Sequence, residues 1–297
     1  MQKVATIIRS TRPAFLLLTP VCVFLGASTA VADGYRIEPR LFLLALAGAL
    51  LAHISVNTLN EYYDYRSGLD LHTRRTPFSG GSGALPARPH MLNAVFATGL
   101  VALMASMLIG VYFAWLLGPG IIPLGILGAV LIVTYTEWLN RSPLLCLIAP
   151  GLGFGLLMVA GTGFVLTGDY TLRAWIAGLV PFFLVNNLLL LNQYPDTAAD
   201  RQAGRRHFPV VYGTRQSSTV YGLFLLAAAT SIVLGVTTGQ LPLPSLLALL
   251  PLIPALHALR GAIRHGADIG TYPQYLGANV VTTLLAPLLL GITIIFG

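Results

Sequence analysis

The sequence predicts an all-α, polytopic membrane protein of nine transmembrane helices with its N-terminus in the cytoplasm. Three observations carry that prediction: the scarcity of charge, the positions of the apolar runs, and the distribution of basic residues between them. Of the 297 residues, 56% are hydrophobic and only 9% are charged, with a mean hydropathy of +0.78. A soluble domain averages about 25% charged residues. This chain has too little charge to cover a globular surface, so its solvent is largely lipid. The formal charge of +7 would suggest nucleic acid as partner in a soluble protein. In a membrane protein it follows from basic cytoplasmic loops, and nucleic-acid binding is set aside.

A helix needs roughly 20 apolar residues to cross the hydrocarbon core. Such runs fall at 13–32, 41–60, 91–113, 119–137, 143–167, 173–194, 217–237, 242–260 and 273–296. The first follows Lys3, Arg9 and Arg12, like the charged start of a signal peptide, but apolar segments continue to the last residue, so it reads as a retained helix. Only Gly118, Pro119 and Gly120 divide the third from the fourth. The fifth carries Gly151, Gly153, Gly155, Gly161 and Gly163, which suits either close helix packing or room for an apolar tail. Cys22 and Cys146 both lie inside apolar runs and read as packing residues.

With the N-terminus inside, the cytoplasmic loops hold Lys3, Arg9, Arg12, Arg66, Arg74, Arg75, Arg88, Arg141, Arg201, Arg205, Arg206, Arg215, Arg260 and Arg264. The other side holds only Arg36, Arg40 and Arg173, which completes the 17 basic residues. That asymmetry supports the nine-span topology and a plasma-membrane protein. The two longest cytoplasmic loops follow the second and sixth spans, and each opens with an acidic motif. The chain therefore reads as a single domain, 1–297, of two four-helix pseudo-repeats, 13–137 and 143–260, with the ninth helix, 273–296, appended.

Five of the ten acidic residues lie in those two motifs: Glu61, Asp64 and Asp70 in the first, Asp196 and Asp200 in the second. On a helix, His53, Asn57, Asn60 and Asp64 share one face. A polar stripe on a membrane helix faces the protein interior or a water-filled cavity. Gly68 then lets the chain turn and bring Asp70 back. In the second motif, Asn192, Asp196 and Asp200 are spaced by four, and Pro195 interrupts the helix just before Asp196. Carboxylates converging on one site repel one another unless cations are present. Mg²⁺ is the natural cation, because it prefers oxygen ligands and bridges one or two carboxylates to substrate phosphates. The nearby arginines suit phosphate oxygens. Together these residues describe a diphosphate site at the cytoplasmic membrane face.

The motifs resemble those of the UbiA superfamily of intramembrane prenyltransferases. Asn60, Asp64 and Asp70 match its first motif, and Asp196 and Asp200 match its second. The stretch from Asp200 through Gly204, Arg205 and Arg206 to Val210-Val211-Tyr212-Gly213 is similar to the family's continuation. The spacing of six from Asp64 to Asp70 is most like the 1,4-dihydroxy-2-naphthoate (menaquinone) branch. Glu61, where the family usually has Asp, and the segment 75–86, which lacks an Arg-x-Arg-Pro pattern, depart from it.

The resemblance implies Mg²⁺-dependent transfer of a prenyl group from a polyprenyl diphosphate to an aromatic acceptor. It implies a metal shell of Asp64, Asp70, Asp196, Asp200 and Asn60, with Asn57 and Asn192 orienting ligands. Arg74, Arg75, Arg205 and Arg206 become candidates for diphosphate contacts, Arg12 and Arg141 for an acceptor carboxylate, and His53 for a base or hydrogen-bond partner. Tyr135 becomes a candidate for stabilising the allylic cation. A sister enzyme acting on 4-hydroxybenzoate or another phenol, and a secondary transporter, are the competing readings. A transporter would place its polar groups near the bilayer midplane, whereas these clusters sit at helix ends.

Overall fold

The computed structural model describes residues 2–73 and 75–297, and every regular element among them is helical. Helix α1 (Gln2–Ser10) is short and exposes Val4 and Ile8. It ends at Arg12, whose φ of 53° is left-handed, an uncommon conformation for a residue with a side chain. A 3₁₀ turn (Phe15–Leu17) then leads into α2 (Leu18–Ala32). Helix α3 (Pro39–Arg66) begins on a proline, where the missing N–H costs nothing, and stops at Ser67 and Gly68, whose φ is 79°. Two short helices follow, α4 (Leu69–His72) and α5 (Ala84–Ala87).

Helix α6 (Leu92–Leu117) is ended by Gly118, with φ 91°, and α7 (Ile122–Thr134) starts after a 3₁₀ turn over Pro119–Ile121. Then come α8 (Pro143–Gly151), a π-helical turn (Leu152–Leu157), α9 (Met158–Thr167), α10 (Leu172–Asn192) and α11 (Thr197–Gln202). Helix α12 (Phe208–Thr237) bends at Gly213. A 3₁₀ helix (Leu243–Leu252) runs into α13 (Ile253–His265), and α14 (Pro273–Phe296) closes the chain.

Eight of these segments are long and apolar enough to cross a membrane: Phe15–Ala32, Pro39–Arg66, Pro89–Leu117, Pro143–Thr167, Leu172–Asn192, Phe208–Thr237, Leu243–Thr271 and Pro273–Phe296. The expected fourth span is the exception. Its helix, Pro119–Thr134, is apolar but shorter. Pro119 and Pro123 sit in its first turns, and irregular turns from Tyr135 to Arg141 end it before 137. Nine expected spans thus become eight of full length and one shorter apolar helix. The seventh starts nine residues earlier than expected, at Phe208 rather than 217. The eighth opens as 3₁₀ because Pro244 and Pro251 cannot donate to a helical ladder.

The main apolar core lies among α2, α10, α12 and α14, with Cys22, Val180, Tyr194, Tyr221 and Leu290 fully buried. Asn187, Tyr221 and Asn279 lock three of these helices by polar contacts: Tyr221 Oη donates to Asn279 Oδ1 at 2.8 Å, and Asn187 Nδ2 to Tyr221 O at 2.9 Å. Helix α7 has no buried residue at all. It stands at the edge with Ile126, Val130 and Val133 turned outward, as expected of a surface in lipid.

The glycines of the fifth span divide by face. Pro150 cannot donate its backbone nitrogen, and the neighbouring Gly151 N–H is taken by Asn186 Oδ1 of α10 at 2.6 Å. A side chain on Gly151 or Gly155 would strike the backbone of Phe182, so this face packs tightly on α10. Gly153 meets nothing within 4 Å and, with Gly161, lines a cavity. One face of this span packs on α10, and the other borders the cavity. Gly155→Ala is therefore expected to cost about 1–3 kcal/mol, the range for overpacking, seen as a lower thermal midpoint in detergent. Gly153→Ala should leave the midpoint unmoved, and equal effects would contradict this packing.

Candidate active site

A cavity of about 690 Å³ penetrates the bundle, within the roughly 300–1,000 Å³ usual for ligand sites. Its deep part is apolar, lined by Ala45, Gly48, Leu103, Ile109, Phe113 and Leu124 among others. Its polar end collects both acidic motifs: Asn57, Asn60, Asp64 and Asp70 from one, Asn192, Asp196 and Asp200 from the other, with Arg12, Tyr135 and Arg205. The stripe predicted on α3 is real. His53, Asn57, Asn60 and Asp64 all line this cavity, and Gly68 turns the chain so that Asp70 joins them.

Arg205 binds the two motifs together. Its Nη2 pairs with Asp64 Oδ1, and its Nη1 donates to Asp200 Oδ1 at 3.1 Å. A second link comes from the glycine-rich loop that follows the first motif. Gly80 N donates to Asp196 Oδ2 at 3.1 Å, and Gly81 lies so close to Asp70 that a Cβ there would sit 2.7 Å from Oδ1. Three buried oxygens lining the cavity have no hydrogen-bond partner: Asp70 Oδ2, Asp196 Oδ1 and Asn192 Oδ1.

Those three atoms bear on the metal. Among the described residues, no three His, Cys, Asp or Glu side chains form a ready-made cage. A site made wholly of protein ligands, such as many transition metals occupy, is therefore not what these residues offer. Mg²⁺ suits them instead, because it keeps several waters and uses one or two carboxylates plus substrate phosphates. The unpartnered oxygens of Asp70, Asp196 and Asn192 are free to serve it, directly or through water. Asp64 and Asp200 are held by Arg205. Asn60, also predicted as a ligand, accepts from Arg12 Nη2 and donates to Thr136 Oγ1, both at 3.3 Å.

The remaining predicted residues separate clearly. Arg12 lines the cavity and donates to Glu61 Oε2 at 3.0 Å. Asn57 donates to Thr11 O at 2.9 Å, so it fixes the turn that carries Arg12. His53 pairs with Thr19 Oγ1 at 2.8 Å and meets the ring of Phe154 edge-on, which is a wall position. Tyr135 faces the cavity, and burial pushes its hydroxyl well above the usual range, so it stays protonated. Arg75, Arg141 and Arg206 are exposed and do not line the cavity. Their charge reached these loops without reaching the site. Arg74 lies outside the described residues.

Two residues were missed. Glu61 is fully buried and accepts from Ser82 N at 3.1 Å and Ser82 Oγ at 2.6 Å as well as from Arg12. It clamps the N-terminal turn to the glycine loop. It lies one residue off the face that carries Asn60 and Asp64, and that is why a search by helical face passes it by. A buried carboxylate without partners is prohibitively costly, and that is the signal that marks it. His207, 1% exposed, meets Asp200 Oδ2 at 2.6 Å.

A second, smaller cavity of about 250 Å³ adjoins the first, between the Arg9–Phe15 turn and the Thr76–Ser82 loop. Arg12, Phe15 and Phe78 line both.

Burial pushes Asp70 up to about 7, with Glu61 and Asp64 adding to the shift. Burial likewise pushes Asp196 up to about 7, helped by Asp200. An unfolded Asp titrates near about 3.9, so between these values the metal-free folded protein binds more protons than the unfolded chain. Its stability must then fall as pH rises from about 4 through 7. The thermal midpoint of EDTA-treated protein is expected to drop between pH 5 and pH 8, and Mg²⁺ to raise it more at pH 8 than at pH 5. A Mg²⁺ effect equal at both values would show that these two carboxylates do not meet the cation.

With the geometry established, the chain can be compared with known proteins. The UbiA prenyltransferase family model matches residues 19–268. A 1,4-dihydroxy-2-naphthoate octaprenyltransferase of Bacillus subtilis is 27% identical over 240 residues, covering 77% of this chain and 73% of that protein. A protoheme IX farnesyltransferase of Trichormus variabilis is 28% identical over 183 residues, covering 61% of this chain and 54% of that protein. Among solved structures, a UbiA homolog from Archaeoglobus fulgidus bound to DMAPP and Mg²⁺ superposes with a TM-score of 0.63 at 16% identity, over 98% of this chain and 99% of that one. The apo UbiA homolog from Aeropyrum pernix gives 0.68 at 18% identity, over 90% and 97%. With a match that runs through both acidic motifs and well over half of its length, this membrane protein belongs to the UbiA prenyltransferase family of enzymes.

Proposed function

We propose that the protein transfers a polyprenyl group from its diphosphate to 1,4-dihydroxy-2-naphthoate, with Mg²⁺, at the cytoplasmic face of a plasma membrane. The observation that carries this reading is one cavity with two chemically opposite ends. Buried carboxylate and amide oxygens without partners stand beside Arg205 at one end, and aliphatic walls run from them into the bundle. A polyprenyl diphosphate has the same two ends. The relatives named 1,4-dihydroxy-2-naphthoate octaprenyltransferase support the acceptor, as does the spacing from Asp64 to Asp70. Relatives acting on protoheme IX make a haem acceptor the second reading. Membership of an enzyme family removes the transporter reading.

In this proposal Asp70, Asp196 and Asn192 would hold Mg²⁺, and Asp64 and Asp200, now paired with Arg205, would be available to it once Arg205 binds the diphosphate. When bound, the metal supplies Lewis-acid stabilisation of the departing diphosphate. Arg205 is placed to bind the same phosphate oxygens. The C–O bond of the allylic diphosphate breaks and the electron pair leaves with the diphosphate. The apolar walls keep water from the resulting allylic cation, and the face of Tyr135 favours positive charge beside it. A ring carbon of the acceptor then bonds to the allylic carbon. Aromaticity returns when that ring carbon loses a proton, or its carboxyl group as CO₂.

Arg12 is the stronger candidate for the acceptor's carboxylate, because it lines both cavities while Arg141 lines neither. The smaller cavity, with Arg9 and Arg12 at one side and Phe15 and Phe78 at another, suits a one- or two-ring aromatic acid. The basic residues gathered on one side of the membrane support the cytoplasmic orientation. The two most extensive helix pairings, α3 with α6 and α10 with α12, occupy matching places in the two four-helix halves and support the pseudo-repeat.

Purified protein in nanodiscs with labelled prenyl diphosphate and Mg²⁺, offered dihydroxynaphthoate, 4-hydroxybenzoate or protoheme IX in turn, is expected to prenylate the naphthoate alone. Product only with one of the others would move the acceptor and keep the chemistry. Asp64→Ala and Asp196→Ala should each lower turnover by more than about 100-fold while the protein stays folded, since each removes part of the electrostatic stabilisation. Near-normal activity in either would sink the site assignment.

A further inference from the structure

Asp200 is held on both of its carboxylate oxygens at the polar end of the cavity. Its Oδ1 accepts from Arg205 Nη1 at 3.1 Å, and its Oδ2 meets His207 Nε2 at 2.6 Å. The two partners are not equivalent. Arg205 lines the cavity, and its other guanidinium nitrogen is on Asp64, so it is within reach of an incoming anion. His207 does not line the cavity. It is buried at 1% exposure behind Asp200 and touches the reacting space only through that carboxylate.

The ring has a rigid mounting. His207 is the residue before α12, and its carbonyl accepts from Val210 N at 3.0 Å and Val211 N at 3.2 Å. Pro209 follows in the first turn and fixes the backbone further. Nδ1 is buried and has no hydrogen-bond partner. A proton there would be a buried donor with no acceptor, a costlier state than an unused lone pair. The tautomer this favours carries its hydrogen on Nε2 and donates it to Asp200.

We propose that His207 is the positioning residue of the second acidic motif: it holds Asp200 Oδ2 from behind, so that Oδ1 stays presented to the cavity when Arg205 turns to a diphosphate. The inference rests on the cation-site reading above and extends it to a residue outside the cavity. Residues behind the metal ligands commonly change metal affinity when removed, by orienting the ligands. His207 fits that role, because a carboxylate held on only one side by a competing arginine would be free to rotate once that arginine left.

The test compares three variants in metal-free protein reconstituted into nanodiscs. His207→Gln keeps an amide donor near the position of Nε2. His207→Asn and His207→Ser end too short to reach Asp200, yet both are favoured residues before a helix, so α12 keeps its start. Mn²⁺ is titrated in the presence of inorganic diphosphate and the free ion is followed by electron paramagnetic resonance, which needs no turnover. The Asn and Ser variants are expected to bind Mn²⁺ at least about tenfold more weakly than the wild type, and the Gln variant within about threefold of it. In the activity assay, the Mg²⁺ concentration for half-maximal rate should rise in the same order while kcat at saturating Mg²⁺ stays close to wild type.

Wild-type affinity in both short variants would overturn the proposal. So would an equal loss in the Gln variant, which would show that the ring matters by packing. If the wild type itself bound no Mn²⁺, the cation-site reading would fall and this inference with it, an outcome distinct from the other two.

Discussion

The structure is organised by the problem of placing five carboxylates at one end of a low-dielectric bundle. At an effective dielectric of about 20, two like charges 4 Å apart repel by roughly 4 kcal/mol, and burial adds a desolvation cost to each. Two arginines answer part of this. Arg205 spans Asp64 and Asp200, and Arg12 joins Glu61 and Asn60. Because Asp64 ends one long helix and Asp200 follows another, the Arg205 contact, with Gly80 N on Asp196, also joins the two halves of the chain at this end. Asp70 and Asp196, which form no ion pair with an arginine among the described residues, are pushed by burial up to about 7. The chain thus neutralises some of its acids with its own arginines, and in the proposed function the others are left to Mg²⁺.

The apolar half of the site follows from uneven packing. Helices α2, α10, α12 and α14 share a dense core, pinned by the Tyr221–Asn279–Asn187 contacts. Helix α7 buries nothing. The fifth span mediates between them. On one face Gly151 and Gly155 press against α10, and on the other Gly153 borders open space. The same residue type serves close approach and vacancy, depending on which helix it faces. The cavity is therefore bounded by a rigid wall on one side and by a lightly packed helix, itself turned to lipid, on the other. Low local packing of this kind is where a fold has least resistance to opening.

Much of this was legible in the sequence, for identifiable reasons. Charge scarcity fixed the solvent, and the three- and four-residue spacing of His53, Asn57, Asn60 and Asp64 placed them on one face whatever the neighbours did. Gly68 as the turn before Asp70 followed from backbone sterics alone. Tertiary contacts decided the rest. The length of the fourth apolar segment depended on how Pro119, Pro123 and the turns after Thr134 competed with a long apolar run. The arginines were separable only by where their loops fold: Arg205 turns inward under the second motif while Arg206, its neighbour, is exposed. Helical periodicity rejected Glu61, one position off the polar face, because it assigns each residue to a side of its own helix and says nothing of what packs there.

Glu61 shows what that omission conceals. Where the resemblance leads one to expect an Asp, the longer side chain reaches Ser82 and Arg12. An aspartate in that position would be one methylene shorter and could not hold both from the same backbone. The clamp makes three separate stretches of sequence one unit: the turn before the first span, the end of the second span, and the glycine loop that covers Asp70 and Asp196. It also accounts for the left-handed backbone at Arg12, a conformation that costs on the order of 1–3 kcal/mol and persists only where surrounding contacts over-determine it. Asn57 on Thr11 O, Asn60 and Glu61 on the guanidinium are those contacts. The N-terminal turn is therefore not a tether for the first helix but part of the polar end of the site, held in shape by the second helix and shaping the loop in return.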